Sequence, residues 1–167
     1  MECGVWRGGA SILGKAVLND LASNRHLWLC DSFEGLPAPS FPEDHGYDFT
    51  PSNDYLGVSV EQVKDNMSRF VELDDRIHFL KGFFKDTLEN AAIDSIAVLR
   101  LDGDLYESTI QCLKALHHKV PSGGFVIIDD YGVLEPCRTA VKEFLEGAGL
   151  KPEIHDIDGT GVYWQVP

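Results

Sequence analysis

Two short strand-like runs constrain this chain more than anything else in it. Val98-Leu99-Arg100-Leu101 leads into Asp102-Gly103-Asp104, and Phe125-Val126-Ile127-Ile128 leads into Asp129-Asp130. Mainly apolar runs of this length read as buried strands. In an open parallel α/β sheet, ligands bind just beyond the carboxyl ends of the strands. If the two strands are neighbours, Asp102, Asp129 and Asp130 converge on one point. Three carboxylates there repel one another unless a divalent cation lies between them, and hard oxygen ligands suit magnesium, calcium or manganese. Magnesium takes about six oxygens, so three carboxylates would leave positions for substrate hydroxyls.

The rest of the chain alternates helix and strand. Ser11 to Leu21 has apolar residues at Ile12, Leu13, Ala16, Val17 and Leu21, which is helical spacing. Leu27 to Asp31 is a short strand. Val60 to Leu73 places Val60, Val63, Met67, Phe70 and Val71 on one helical face, so Phe70 is expected in the core. Ser59 is the expected N-cap, with Gln62 reaching back to complete a capping box. Ile77 to Leu80 and Ile96 to Leu101 are strands, and Glu107 to His118 is a helix. Cationic histidines His117 and His118 would suit its C-terminal dipole. Phe125 to Ile128 is a strand, Cys137 to Leu145 a helix, and Ile154–Ile157 with Val162–Val166 a terminal antiparallel pair. The expected fold is α/β: a doubly wound, mostly parallel sheet with helices on both faces. A glycine-rich turn should follow a strand, yet only Met1-Glu2-Cys3 precede Gly4. The first strand is therefore expected to be a stub, or the chain starts late relative to a longer ancestor.

A length of 167 residues is that of one domain with a real core. The formal net charge of −13, from 27 acidic and 14 basic residues, disfavours nucleic acid and anionic membranes as partners. A neutral or cationic small molecule is the easier ligand. No run approaches the ~20 apolar residues of a membrane span, and no signal peptide is visible. The four cysteines show no C-x-x-C pair and read as reduced thiols of a cytoplasmic protein.

Gly4, Gly8 and Gly9 stand immediately before a helix, where glycines let a ligand approach the backbone and a helix N-terminus offers free N–H groups. Asp31 ends the next strand, about 20 residues on, where an acidic residue can accept hydrogen bonds from the ribose of a nucleoside. Tight turns have the same glycines, and Asp31 can equally cap the following turn. Asp102-Gly103-Asp104 also matches the Asp-x-Asp of metal-dependent, nucleotide-sugar glycosyltransferases, although only Arg100 is basic nearby. It matches the start of haloacid-dehalogenase-type phosphatases less well, because the Gly-Thr that follows there is missing. A surface turn is the plainest reading of the same residues.

Five blocks in order resemble the macrocin-type sugar O-methyltransferases: Glu2 to Ala10, Asp31 to Pro37, Leu101 to Thr109, Gly123 to Gly132, and Thr160 to Trp164. The resemblance covers essentially the whole chain. It implies a class I methyltransferase fold, S-adenosylmethionine and Mg²⁺ as cofactors, and methylation of a sugar hydroxyl on a small-molecule natural product of antibiotic type. It places Glu2, Gly4, Val5 and Trp6 on the methionine side of the cofactor. It places Asp31, Ser32, Phe33 and Gly35 at the ribose and adenine, with Gly82 and Phe83 completing the adenine pocket. Asp102, Asp129 and Asp130 would bind the metal, and Asp102 would also be the general base. Family members carry an N-terminal segment before the glycine loop that this chain does not show, and they suggest a homo-oligomer. A non-catalytic cofactor-binding domain is the alternative.

Residues 36–57 have no clear period and are rich in Pro, Asp, Tyr and Phe. A connection of that length is usually functional or disordered. It is expected to form a lid over the substrate, with Tyr47 and Tyr55 able to stack on a sugar or aglycone. The competing reading is a surface loop with incidental aromatics. His45 reads as a solvated loop histidine, or as an auxiliary base.

Overall fold

The computed structural model describes residues 1–167. Seven strands form one sheet in the order β3-β2-β1-β4-β5-β7-β6. They are β1 (Glu2–Cys3), β2 (Leu27–Asp31), β3 (Ile77–Lys81), β4 (Val98–Leu101), β5 (Phe125–Ile128), β6 (His155–Asp156) and β7 (Val162–Gln165). The first five run parallel, and β7 pairs antiparallel with both β5 and β6. β1 has two residues, matching the expected stub, yet it occupies the centre: Glu2 pairs with Leu29 on one side and Arg100 on the other. The chain winds outward from β1 to β2 and β3, then returns to add β4 and β5 on the opposite side. The strand order therefore reverses between β1 and β4, where such sheets open a crevice for ligands.

The helices are α1 (Gly9–Asp20), α2 (Asn53–Leu56), α3 (Val60–Ser68), α4 (Phe84–Thr87), α5 (Tyr106–Leu116) and α6 (Glu135–Gly147). Period-2 alternation sorts the strand residues onto two faces. Cys3, Cys30, Leu101 and Ile128 pack with Cys112, Leu113 and Leu116 of α5 and Cys137, Val141 and Leu145 of α6. Leu27 and Leu29 pack on the other face with Val63 and Met67 of α3 and with Ile12 and Leu18 of α1.

Local expectations are corrected in α3 and at His117, and the inner face of α1 is polar. In α1 the buried residues are Ser11 and Lys15, while Leu13, Val17 and Leu21 are exposed. Lys15 is tolerated inside because its Nζ meets Asp74 Oδ2 at 2.7 Å, and Ser11 because its hydroxyl donates to Glu2. α3 stops at Ser68, and Phe70 is 73% exposed rather than packed in the core. Ser59 does cap α3, accepting the Gln62 N–H at 3.2 Å. The capping box is only half made, since the Gln62 amide donates instead to Asn66. His117 is buried against Phe144 and Trp164. Burial, helped by His118, pushes its pKa down, against the expected cationic role at the helix end.

Residues 36–57 contain two 3₁₀ turns and α2; they are anchored to α5 in the middle and closed on themselves between Leu36 and Asn53. Asp44, fully buried, accepts the N–H groups of Tyr106 (2.7 Å) and Glu107 (3.1 Å) at the start of α5. Asn53 exchanges two hydrogen bonds with the backbone of Leu36 at 2.9 Å each.

Candidate active site

A cavity of about 270 Å³ opens at the carboxyl ends of β1, β2 and β4. The turn after β1 forms one wall. Gly4 has φ +88°, and a Cβ there would stand 1.7 Å from the Asp102 carbonyl oxygen, so the turn lies directly on the end of β4. Trp6 adopts φ +45° in the same turn. Asp31 holds this geometry: its Oδ2 accepts the N–H of Val5 at 2.6 Å and of Trp6 at 3.4 Å, and its Oδ1 accepts that of Phe33 at 2.7 Å. The carboxylate thus organises the glycine turn as well as facing the cavity.

Of the expected cofactor residues, Gly4, Val5, Trp6, Asp31, Ser32, Gly35 and Phe83 line the cavity. Glu2, Phe33 and Gly82 lie outside its lining. The Glu2 side chain is buried beneath the turn, bonded to Ser11 and Arg100. Phe33 is buried against Phe79, and the Gly82 N–H is bonded to the Asp31 carbonyl. Tyr55 lines the cavity and packs on Trp6, whose indole N–H donates to the Tyr55 carbonyl at 3.2 Å. Tyr47 does not line it, and His45 is exposed.

Glu107 and Gln111, which sequence reasoning missed, also line the cavity, as does Asp104, read in the sequence only as part of Asp102-Gly103-Asp104. Glu107 is buried, accepting from Gln111 at 3.0 Å and from Ser40 at 2.6 Å. The first turn of α5 could have been noticed as a second acidic wall, because Glu107 stands three residues after Asp104.

The aspartates do meet at the strand ends, but their pairing differs from the expectation. Carboxylate oxygens of Asp102, Asp104 and Asp130 all lie within 4.8 Å of one another. Asp129 turns aside to Arg100, its Oδ1 2.5 Å from Nη2. Arg100 Nη1 also lies 2.8 Å from both Asp102 Oδ2 and Glu2 Oε1. Asp104 has φ +58°, a left-handed conformation that Asp adopts more easily than most residues.

Burial raises the pKa of Asp102, and Arg100 opposes it. Burial, then repulsion from the neighbouring aspartates, lifts Asp104 to about 6 and Asp130 to about 7. Asp130 Oδ2 is buried with no hydrogen-bond partner. Buried carboxylate oxygens are normally satisfied, so this atom wants a donor or a cation. Three converging carboxylates, one with an orphaned oxygen, fit a hard divalent ion.

A family model described as macrocin-O-methyltransferase (TylF) matches residues 1–166. The chain belongs to the macrocin O-methyltransferase family. A tetracenomycin-C rhamnosyl 4'-O-methyltransferase of Streptomyces olivaceus is 47% identical over 99% of this chain, and demethyldecarbamoylnovobiocin O-methyltransferase of Streptomyces niveus is 45% identical over the same share. The chain spans 64% of the length of each. The solved O-methyltransferase NovP is 44% identical and superposes with a TM-score of 0.96 over 99% of this chain and 70% of its own. The family fold is the doubly wound sheet described above. Arg100, the basic residue nearest Asp102-Gly103-Asp104, is engaged by three carboxylates rather than free for a diphosphate.

Proposed function

We propose that this chain is the cofactor-binding and catalytic domain of an enzyme that transfers a methyl group from S-adenosylmethionine to a sugar hydroxyl of a small-molecule natural product, with a divalent cation, Mg²⁺, at its aspartates. The observation that carries the proposal is that one cavity is lined at once by the Gly4–Trp6 turn, by Asp31 and Ser32, and by Asp102 and Asp104. Cofactor-type and cation-type residues thus share one space, as a reaction between a sulfonium and a hydroxyl requires. Family membership supports the methyl transfer, and the relatives' names support a glycoside acceptor.

S-adenosylmethionine supplies an electrophilic methyl group, and the cation supplies stabilisation of the alkoxide. The protein does the rest. Gly4, Val5 and Trp6 present backbone to the methionine end, while Asp31 and Ser32 hold the ribose. Gly35, Gly82, Phe83 and the buried Phe33 shape the adenine end, and Glu2 supports the turn from below. Asp102 and Asp130, with Asp129 or Asp104, hold the cation. Asp102 accepts the hydroxyl proton, the role a carboxylate beside the acceptor can take. Residues 36–57, pinned by Asp44 and Asn53, are placed to cover the acceptor.

The test is calorimetry with S-adenosylhomocysteine, with Mg²⁺ or with a chelator. Micromolar-range binding is expected, and its absence in both conditions would sink the reading. Asp102→Asn should keep that binding and lower methyl transfer to a glycoside acceptor by about 10²–10⁴-fold, the usual worth of a general base. Near-native turnover in this variant would remove Asp102 from the role.

A further inference from the structure

Arg100 is the cation that joins three carboxylates, Glu2, Asp102 and Asp129, beside the cavity. It sits mid-strand in β4, directly opposite Glu2 in the sheet register, so both side chains leave the same face. The Asp102 N–H donates to the Cys3 carbonyl and the Asp129 N–H to the Leu101 carbonyl, so the ladder continues past the strand ends. Asp102 and Asp129 therefore alternate onto the face of Arg100. The guanidinium fork meets all three acids: Nη1 is shared between Glu2 and Asp102 at 2.8 Å, and Nη2 takes Asp129 at 2.5 Å. Glu2, only 5% exposed, uses its other oxygen to accept from Ser11 of α1, whose helix begins just after the glycine turn.

These bonds form one continuous path. It runs from Ser11 at the start of α1, through Glu2 two residues before Gly4, to Arg100, and on to Asp102 and Asp129. We infer that Arg100 is a positioning residue that couples the cofactor turn to the cation-binding aspartates, so that occupancy of one side orders the other. This inference rests on the methyltransferase reading above. Its physical basis is that the same nitrogen holds Glu2 and Asp102. A cation that fixes Asp102 also fixes the guanidinium and, through the nitrogen shared with Glu2, holds Glu2 under the turn. A ligand meeting an already ordered turn has less ordering left to undergo, which is positive cooperativity. By linkage the effect is reciprocal. A lysine cannot reproduce it fully, because a point charge lacks the planar fork that spans three acids.

The test is the affinity for S-adenosylhomocysteine, measured by calorimetry on the full chain with and without saturating Mg²⁺. In the native chain Mg²⁺ should tighten binding by at least about fivefold, the lower end of ordinary coupling. In R100M the two affinities should coincide, and R100K should keep part of the difference. Because R100M leaves Glu2 buried without its cation, a double variant E2Q/R100M removes both charges together and should likewise show no dependence. Thermal melts record the stability of each. A merely structural role for Arg100 would lower the melting temperature and leave the Mg²⁺ dependence at its native size, which would overturn the inference. So would a native chain that binds S-adenosylhomocysteine equally with and without Mg²⁺. A native chain that fails to bind it under either condition instead overturns the methyltransferase reading, and this inference with it.

Discussion

Gly4 has no room for a side chain, because a Cβ would stand 1.7 Å from the Asp102 carbonyl oxygen. Its φ of +88° adds a left-handed penalty of about 1–2 kcal/mol for any other L-residue. Gly46 has nearly the same φ, +91°, but open space around it. The two positions separate backbone strain from close approach. Gly46→Ala should cost only the strain, whereas Gly4→Ala should cost more and should also abolish S-adenosylhomocysteine binding by moving the turn off β4. Equal melting temperatures for the two variants would contradict the close approach. At this scale the sequence was partly legible. Gly4, Asp31 and Asp102, all singled out in the sequence, line one cavity. The partition of the acids was not legible, because it depends on Arg100. In the sequence that residue was only the basic side chain nearest the motif; the register puts it opposite Glu2. Once Arg100 claims Asp129, Asp104 is the residue that joins Asp102 and Asp130.

Helix α5 shows what element-level patterns can and cannot carry. Its apolar spacing announced a helix, but its N-terminal support comes from Asp44, 62 residues earlier. Both Asp44 oxygens accept backbone N–H groups of the first turn, and a negative charge there also favours the helix dipole. Asp44→Ala should therefore cost about 1–2 kcal/mol, the upper part of the range for lost caps. It should also loosen residues 36–57, seen as faster amide exchange in that segment than elsewhere. No local pattern reveals a cap supplied from so far away. The same holds for α1. Its spacing announced a helix but not its inner face, because the partners of Ser11 and Lys15, Glu2 and Asp74, lie elsewhere in the chain and let polar residues face inward.

At the other end of α5, His117 is buried between Phe144 and Trp164 with its pKa pushed down. The folded chain therefore binds fewer protons at this site than the unfolded chain does, so the site destabilises as pH falls through the ordinary histidine value of about 6.5. His117→Phe removes that contribution. The melting temperature of the variant relative to the native chain should rise between pH 7.5 and pH 5.5, and parallel melting curves at the two pH values would refute the argument.

For the whole molecule, the alternation of strand and helix sufficed to anticipate a doubly wound sheet with an antiparallel end, and that is the architecture found. The central place of a two-residue strand was beyond any periodicity, since two residues have no period. β1 is held because it has a paired neighbour on each side and because Cys3 is fully buried. That burial has a chemical consequence. All four thiols are free and buried, and burial pushes the Cys3 thiol well above its usual range. An alkylating reagent needs a reachable thiolate, so Cys3 can be labelled only in molecules whose first strand has momentarily left the sheet. The rate at which iodoacetamide marks Cys3, read by peptide mass, is then a clock for that opening. If S-adenosylhomocysteine binds on the turn that follows, as proposed, it should slow the clock in proportion to its occupancy.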